Sequence, residues 1–345
     1  MNRKHFLGTA AALAGGISFP FRHTHAASVK RNKEKIPFTI PPFLSEGDLI
    51  GITSPAGAIT HKEIEPALAV LHDWGFRTRI GTSIGKKDFT RGGTDEERRS
   101  DLQNMLDDRE VKAILCARGG YGSLRIVDSL KWEGFLEAPK WVIGFSDITV
   151  LHGHIHNNCK VASIHSKMIN SFPDDWSKAE PIQVETILSI RDLLCGKKMS
   201  YRVAPHASNK TGSAEGILVG GNLKTIESLA GTASDINTDG KILFLEDTGE
   251  YLYSIDRMFW NLKRTGKLQN LKGLIIGGFK VRADDAGDEF GKTVQQIVLE
   301  KITDRKYPVC FAFPVGHQRA NFALACGVNH KLNVQQHEVS LTQNI

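Results

Sequence analysis

The run Trp141-Val-Ile-Gly144-Phe145-Ser146-Asp147 changes character halfway along. Lys140–Gly144 is a short apolar stretch of the kind buried on both faces of a sheet. A glycine and a serine then precede a helix that begins after Ser146. Strand, tight turn and helix in that order form the repeating unit of a parallel sheet with helices on its faces. Outward from this unit the alternation continues in both directions. Leu49–Ser54 is an apolar strand ending in the turn Pro55-Ala56-Gly57, and Lys62–Trp74 carries Ile64, Leu68 and Leu71 at helical spacing. Thr94-Asp-Glu-Glu97 is a capping box opening a helix through Asp108. Lys112–Ala117 is a buried strand, Ser123–Leu130 is helical, and Val161–His165 returns as a strand.

The rhythm breaks over 171–212. Phe172-Pro-Asp-Asp-Trp176 is turn-like, Pro181–Leu194 is helical and Lys197–Thr211 is polar, so a linker is placed here. A second α/β segment follows. It holds strands at Glu215–Leu223, Lys241–Leu245 and Leu271–Gly277, and helices at Lys224–Gly231, Ser254–Arg264 and Thr293–Thr303. His330–Thr342 alternates Leu332, Val334, Val339 and Leu341 with polar residues, predicting antiparallel strands. The expected organisation is α/β throughout, with an N-terminal domain over 36–170 and a smaller C-terminal domain over 213–345.

With 41% apolar and 24% charged residues among 345, the chain has the composition of a globular protein rather than a disordered one. The formal net charge of +6 lies in its first 35 residues, and the remainder is balanced. The body has no cationic excess for phosphates, so no nucleic-acid partner is expected. Met1–Ser28 joins Arg3 and Lys4 to a weakly apolar run, Phe6–Phe19, and to small residues at Ala26 and Ala27. This is the layout of an export signal over 1–27, with Asn-Arg-Lys-His-Phe-Leu similar to a twin-arginine signal. The apolar run falls short of the ~20 residues of a membrane span, so no stable insertion is expected once the signal is removed. The expected location is the periplasm, or the cytoplasm if the segment is not a signal. Five cysteines, widely spaced and without a Cys-x-x-Cys, indicate no disulfide framework but leave room for one bridge. Cys116, Cys310 and Cys326 lie in apolar runs and are expected in the core.

Sites in open α/β sheets lie at the carboxyl ends of strands, and three such ends carry chemistry. Ser146 follows a strand and starts a helix, where its hydroxyl is presented and neighbouring amides can stabilise an oxyanion. It is not a Gly-x-Ser-x-Gly elbow, because Ile148 stands at the second glycine, and a helix N-cap is the plainer alternative. Arg118-Gly119-Gly120-Tyr121-Gly122 follows a buried strand and could turn backbone amides toward an anion, or be an ordinary turn. It matches neither a dinucleotide fingerprint nor a phosphate loop. Leu245-Glu246-Asp247 and Gly316-His317 end two further strands. A serine hydroxyl needs a base, and the base needs a carboxylate to fix its tautomer; Ser146, His317 and Glu246 supply the three.

Together these segments resemble the LD-carboxypeptidase (muramoyltetrapeptide carboxypeptidase) family of serine peptidases, which includes the microcin C self-immunity peptidases. The resemblance runs through Gly47-Asp-Leu-Ile-Gly-Ile-Thr-Ser-Pro-Ala-Gly57, Arg118–Gly122, Gly144–Asp147, Glu215-Gly-Ile-Leu-Val-Gly-Gly-Asn222, Leu245–Asp247 and Gly316-His317. It implies a flavodoxin-like N-terminal domain and a smaller α/β C-terminal domain with the site between them. It also implies Ser146 as nucleophile, His317 as base and Glu246 as its carboxylate. Oxyanion amides would come from Asp147 and the Gly119–Gly120 turn. The implied reaction is hydrolysis of the amide between an L-centre and a terminal D-alanine of a murein peptide, with no cofactor or metal. A homodimer would be in keeping with that family. Arg118 could hold the substrate carboxylate or simply pair with a nearby acid.

Three rivals remain open at this level. His152, His154, His156, Cys159 and His165 could gather a metal, although no His-Glu-x-x-His is present. Ser83-Ile-Gly-Lys86 with Lys210-Thr-Gly212 echoes penicillin-binding enzymes, without their Ser-Asp-Asn. A non-catalytic periplasmic binding protein would share the two-lobed layout but not require Ser146, Glu246 and His317. Within the resemblance, a peptide-antibiotic conjugate of the microcin type is the alternative substrate.

Overall fold

Two sheets share the chain, and their strand orders explain where the conspicuous turns meet. The computed structural model describes residues 37–344; the expected export signal lies outside the described residues. The first sheet contains β1 (Leu49–Thr53), β2 (Arg77–Ile80), β3 (Val111–Cys116), β4 (Trp141–Gly144) and β5 (Ser163–His165), all parallel and ordered 2-1-3-4-5. That is the flavodoxin-like order, which reverses between β1 and β3 and opens a crevice at their carboxyl ends. The turns after β1, β3 and β4 therefore converge there. Ile50, Ile52, Leu115, Ile143 and Ile164 are buried on one face with Ile64 and Leu71 of the His61–Asp73 helix. Ile114 and Val142 pack on the other with Leu102 and Met105 of the Asp95–Asp107 helix. That helix opens with the expected capping box, Thr94 Oγ1 accepting from the Glu97 amide at 3.2 Å.

In the second sheet β6 (Ser200–Val203), β7 (Gly212–Asn222), β8 (Ile242–Thr248), β9 (Gly273–Lys280), β10 (Val309–Cys310), β12 (Asn329–Val334) and β13 (Val339–Gln343) run in the order 10-9-8-7-12-13-6. Strands 10, 9, 8 and 7 are parallel, and the rest are antiparallel. The architecture is thus two α/β domains, one mostly parallel and one mixed.

The expected segmentation is crossed twice. The polar stretch inside the 171–212 segment contains β6, an outer strand of the second sheet with only Tyr201 buried. β11 (Leu324–Cys326), from the C-terminal half, pairs antiparallel with β5 and completes the first sheet. A single apolar cluster accordingly runs from Ile52 and Ile143 through Leu324 to Phe244 and Leu332. All five cysteines are free thiols, so the disulfide left open by the sequence is not formed. No helix among the described residues is long and apolar enough to cross a membrane.

Candidate active site

Ser146 has a backbone φ of +62°, a left-handed conformation that costs a residue with a Cβ roughly 1 kcal/mol or more. The strain buys a sharp turn off β4 into the short helical turn Ser146–Ile148. The hydroxyl does not cap that turn. It lies 3.1 Å from His317 Nε2. A Cβ on Gly119 would stand 3.0 Å from the serine Cβ, so the bare Gly119 backbone fits directly against Ser146. Gly119 is held by its neighbour turn, where the Gly57 amide donates to its carbonyl at 2.8 Å. The amides of Gly119, Gly120 and Asp147 donate to no acceptor among the described residues, leaving all three available near the serine. The Asp147 carboxylate faces elsewhere. It accepts the Ser123 amide at 2.7 Å, and burial pushes its pKa up.

Glu246 is fully buried on β8. Its Oε2 accepts His317 Nδ1–H at 2.6 Å and the His317 backbone amide at 3.2 Å. One oxygen therefore fixes both the tautomer and the loop, leaving Nε2 as an acceptor toward Ser146. The loop reaches Glu246 through an irregularity in the ladder: Leu245 faces Ile276, but Asp247 faces Phe279. The additional residue falls at Gly277-Gly278. A Cβ on Gly277 would stand 2.5 Å from the Val315 carbonyl oxygen, so the missing side chains let the loop lie flat on β9. Gly316 then turns with φ +105°, and a Cβ there would stand 2.4 Å from Glu246 Cβ. Gly316→Ala should therefore displace the imidazole; we expect kcat/KM to fall about 100-fold, read by steady-state kinetics beside a melting curve.

One side chain just past β4, one within β8 and one on the loop after β10 thus form one hydrogen-bonded chain; His317, expected at a strand end, lies beyond β10, which closes at Cys310. An open cavity of about 360 Å³ adjoins it, lined by Tyr121, Ser146, Asn222, Lys224, Asp247 and Glu250 among others. Two domain families match the sequence, the LD-carboxypeptidase N-terminal domain over residues 50–166 and the LD-carboxypeptidase C-terminal domain over 215–332. A "Probable murein peptide carboxypeptidase" of Bacillus subtilis (strain 168) is 33% identical over 298 residues, covering 86% of this chain and 92% of the relative. The chain belongs to the LD-carboxypeptidase family. As a member of that family it is a hydrolase of the serine peptidase class. It is also 30% identical over 284 residues to the "Murein tetrapeptide carboxypeptidase" of Pseudomonas aeruginosa, covering 81% and 91% of the two chains. In fold, this LD-carboxypeptidase family member matches the muramoyltetrapeptide carboxypeptidase from Oxalobacter formigenes with a TM-score of 0.75 at 24% identity, over 86% and 99% of the chains.

The rival constellations are otherwise engaged in this LD-carboxypeptidase family member. His152 Nε2 bonds the Gly144 carbonyl at 2.9 Å, and burial holds the ring down at about 4, hence neutral. His154 and His156 bond the hydroxyls of Ser234 and Ser163, each at 2.9 Å. His165 is packed between the rings of Phe145 and Phe244. No group of three or more ligand-type side chains among the described residues could hold a metal. Ser83 is buried with its hydroxyl donating to Asp101 at 2.5 Å, and Lys86 pairs with Glu97 at 2.9 Å. Arg118 lies 3.7 Å from Glu63, donates to the Ala58 carbonyl at 3.3 Å and does not line the cavity beside Ser146.

The sequence reading did not single out Phe145, whose ring packs 4.8 Å from that of His317, or the Gly277-Gly278 pair. Adjacent glycines at the end of the predicted Leu271–Gly277 strand are the available signal for the latter. Asp247 was read only as a neighbour of Glu246. Its oxygens accept the Thr248 amide at 2.7 Å, the Lys224 amide at 2.8 Å and Asn222 Nδ2 at 3.2 Å, so it builds the cavity wall. Burial raises its pKa from 3.8 to about 6. A raised carboxyl pKa stabilises the fold below its ordinary value, and that contribution is lost as pH rises through about 6. Asp247→Asn should therefore gain in urea midpoint relative to the parent at about pH 7.5 compared with about pH 4, measured by paired unfolding curves.

Proposed function

We propose that this LD-carboxypeptidase family member removes the terminal D-alanine from murein tetrapeptides through a covalent acyl-enzyme on Ser146. The observation that supports it is the relay itself: Ser146 Oγ 3.1 Å from His317 Nε2, and His317 Nδ1 2.6 Å from a fully buried Glu246 carboxylate. His317 takes the Ser146 proton as Oγ bonds to the scissile carbonyl carbon. The carbonyl electron pair moves to oxygen, where the amides of Asp147 and the Gly119–Gly120 turn receive it. Collapse breaks the C–N bond, and the imidazolium hands its proton to the departing D-alanine amine. Water then attacks the ester, with His317 again as base, and frees Ser146. Glu246 keeps the imidazole in the productive tautomer and balances its transient charge. Every step uses groups of this chain and water.

The open cavity at Tyr121, Asn222 and Lys224 gives the peptide a place beside the serine. The signal-like character of residues 1–27 supports action in the periplasm, to be checked by fractionation of cells expressing the full chain. The deciding experiment incubates purified protein with murein tetrapeptide and follows free D-alanine by mass spectrometry. Tripeptide and D-alanine in equal amounts are expected. Intact tetrapeptide after prolonged incubation would overturn the reading, and cleavage of a microcin-type conjugate in its place would move the substrate assignment there.

A further inference from the structure

The loop that carries His317 is held from the opposite lobe by a lysine to which neither the sequence motifs nor the relay assigns a role. Lys167 stands two residues past the end of β5. Its Nζ donates to the Gln318 carbonyl at 2.7 Å. The same ammonium lies 5.7 Å from the centroid of the Phe145 ring, and that ring packs on His317 at 4.8 Å. The Gln318 side chain braces its own loop, donating to the Phe313 and Val315 carbonyls at 3.0 and 3.3 Å. The cross-lobe tie to the Gln318 backbone therefore falls to Lys167. Arg319, one residue on, reaches across to Glu180. Beside Arg319, Lys167 forms part of the wall of an open cavity of about 680 Å³.

We infer that Lys167 is a positioning residue: its ammonium clamps the Gln318 carbonyl and, through it and the Phe145 ring, holds the His317 imidazole over Ser146. The inference rests on the catalytic reading of Ser146, His317 and Glu246. The clamp fixes the angle at which Nε2 meets the serine hydroxyl. Other charged or titratable groups in this neighbourhood include His165, buried behind the Phe145 ring, and, lining the same cavity as Lys167, Asp174, Asp175, Lys178 and the Arg319–Glu180 pair. Burial lowers the Lys167 pKa, with the Glu246 charge opposing.

The test needs no substrate for its first readout. Histidine labelled with carbon-13 at Cε1 is observed by NMR in the wild-type chain, K167M and K167R, with His317→Gln assigning the signal. Losing the clamp should move the His317 Cε1 signal in K167M, and K167R should leave it in place. With tetrapeptide, K167M should lose about tenfold in kcat at nearly constant KM, and K167R should recover most of the rate. An unmoved His317 signal in K167M, a rise in KM at constant kcat, or equal damage in K167R would each overturn the inference. A wild-type chain that ignores tetrapeptide while K167M still shifts His317 would sink the substrate assignment and leave the role of Lys167 standing.

Discussion

Ser146→Ala should abolish D-alanine release, by about 10⁴-fold or more in kcat, while the protein still binds tetrapeptide and melts near the parent temperature. The loss is large because the hydroxyl is the only atom removed, and in the proposed reaction it is the atom that bonds to the substrate. Stability should hold because alanine carries the same Cβ into the left-handed turn, so the strain at φ +62° is nearly unchanged. Nor is a helix cap lost, since the serine side chain caps nothing. Kinetics and calorimetric titration on one preparation separate the outcomes. A variant keeping a tenth of the parent rate would remove Ser146 from the chemistry, and one that loses binding as well would make it a structural or substrate-holding residue.

Glu246→Gln should cost about 10³- to 10⁴-fold in kcat with little change in binding. Glu246 Oε2 accepts both the ring and the backbone N–H of His317. A glutamine presents only one oxygen. If its NH₂ faces the ring instead, the imidazole must carry its proton on Nε2, and the serine then meets a donor rather than a base. The carboxamide also offers no charge to balance the imidazolium in an interior shut off from solvent. The measurement is kcat for tetrapeptide together with the proton chemical shift of the His317 ring, which reports the tautomer. Near-parent turnover in this variant would mean that the carboxylate only holds the loop.

Much of this arrangement was legible in the sequence because it depends on local features. The buried runs of β1, β3 and β4 announce themselves as strands, and open α/β sheets place sites at the ends of such strands. That rule directs attention to Ser146 and Gly119; Glu246, inside β8, and His317, on the loop after β10, are found by residue type. What escaped is non-local or marginal. β2 is Arg77-Thr-Arg-Ile80 at the rim of its sheet, half or fully exposed, so it carries no apolar signature. β6 hides in a polar stretch for the same reason. Lys167 gains its place only when Gln318, more than a hundred residues later, folds against it. The slip at Gly277-Gly278 belongs to the pairing of two strands, and neither strand shows it alone.

β11 has a consequence for how the molecule holds together. Three residues from near the end of the chain close the flank of a sheet built mostly from its first half. Separating the halves would leave β5 with a raw hydrogen-bonding flank and Leu324, Ala325 and Cys326 without a berth. The lobes should thus melt in one calorimetric peak, and a nicked protein should stay assembled until denatured. Expressing either half by itself invites strand exchange between copies, because the unfilled place on one molecule is the shape of the loose strand on another.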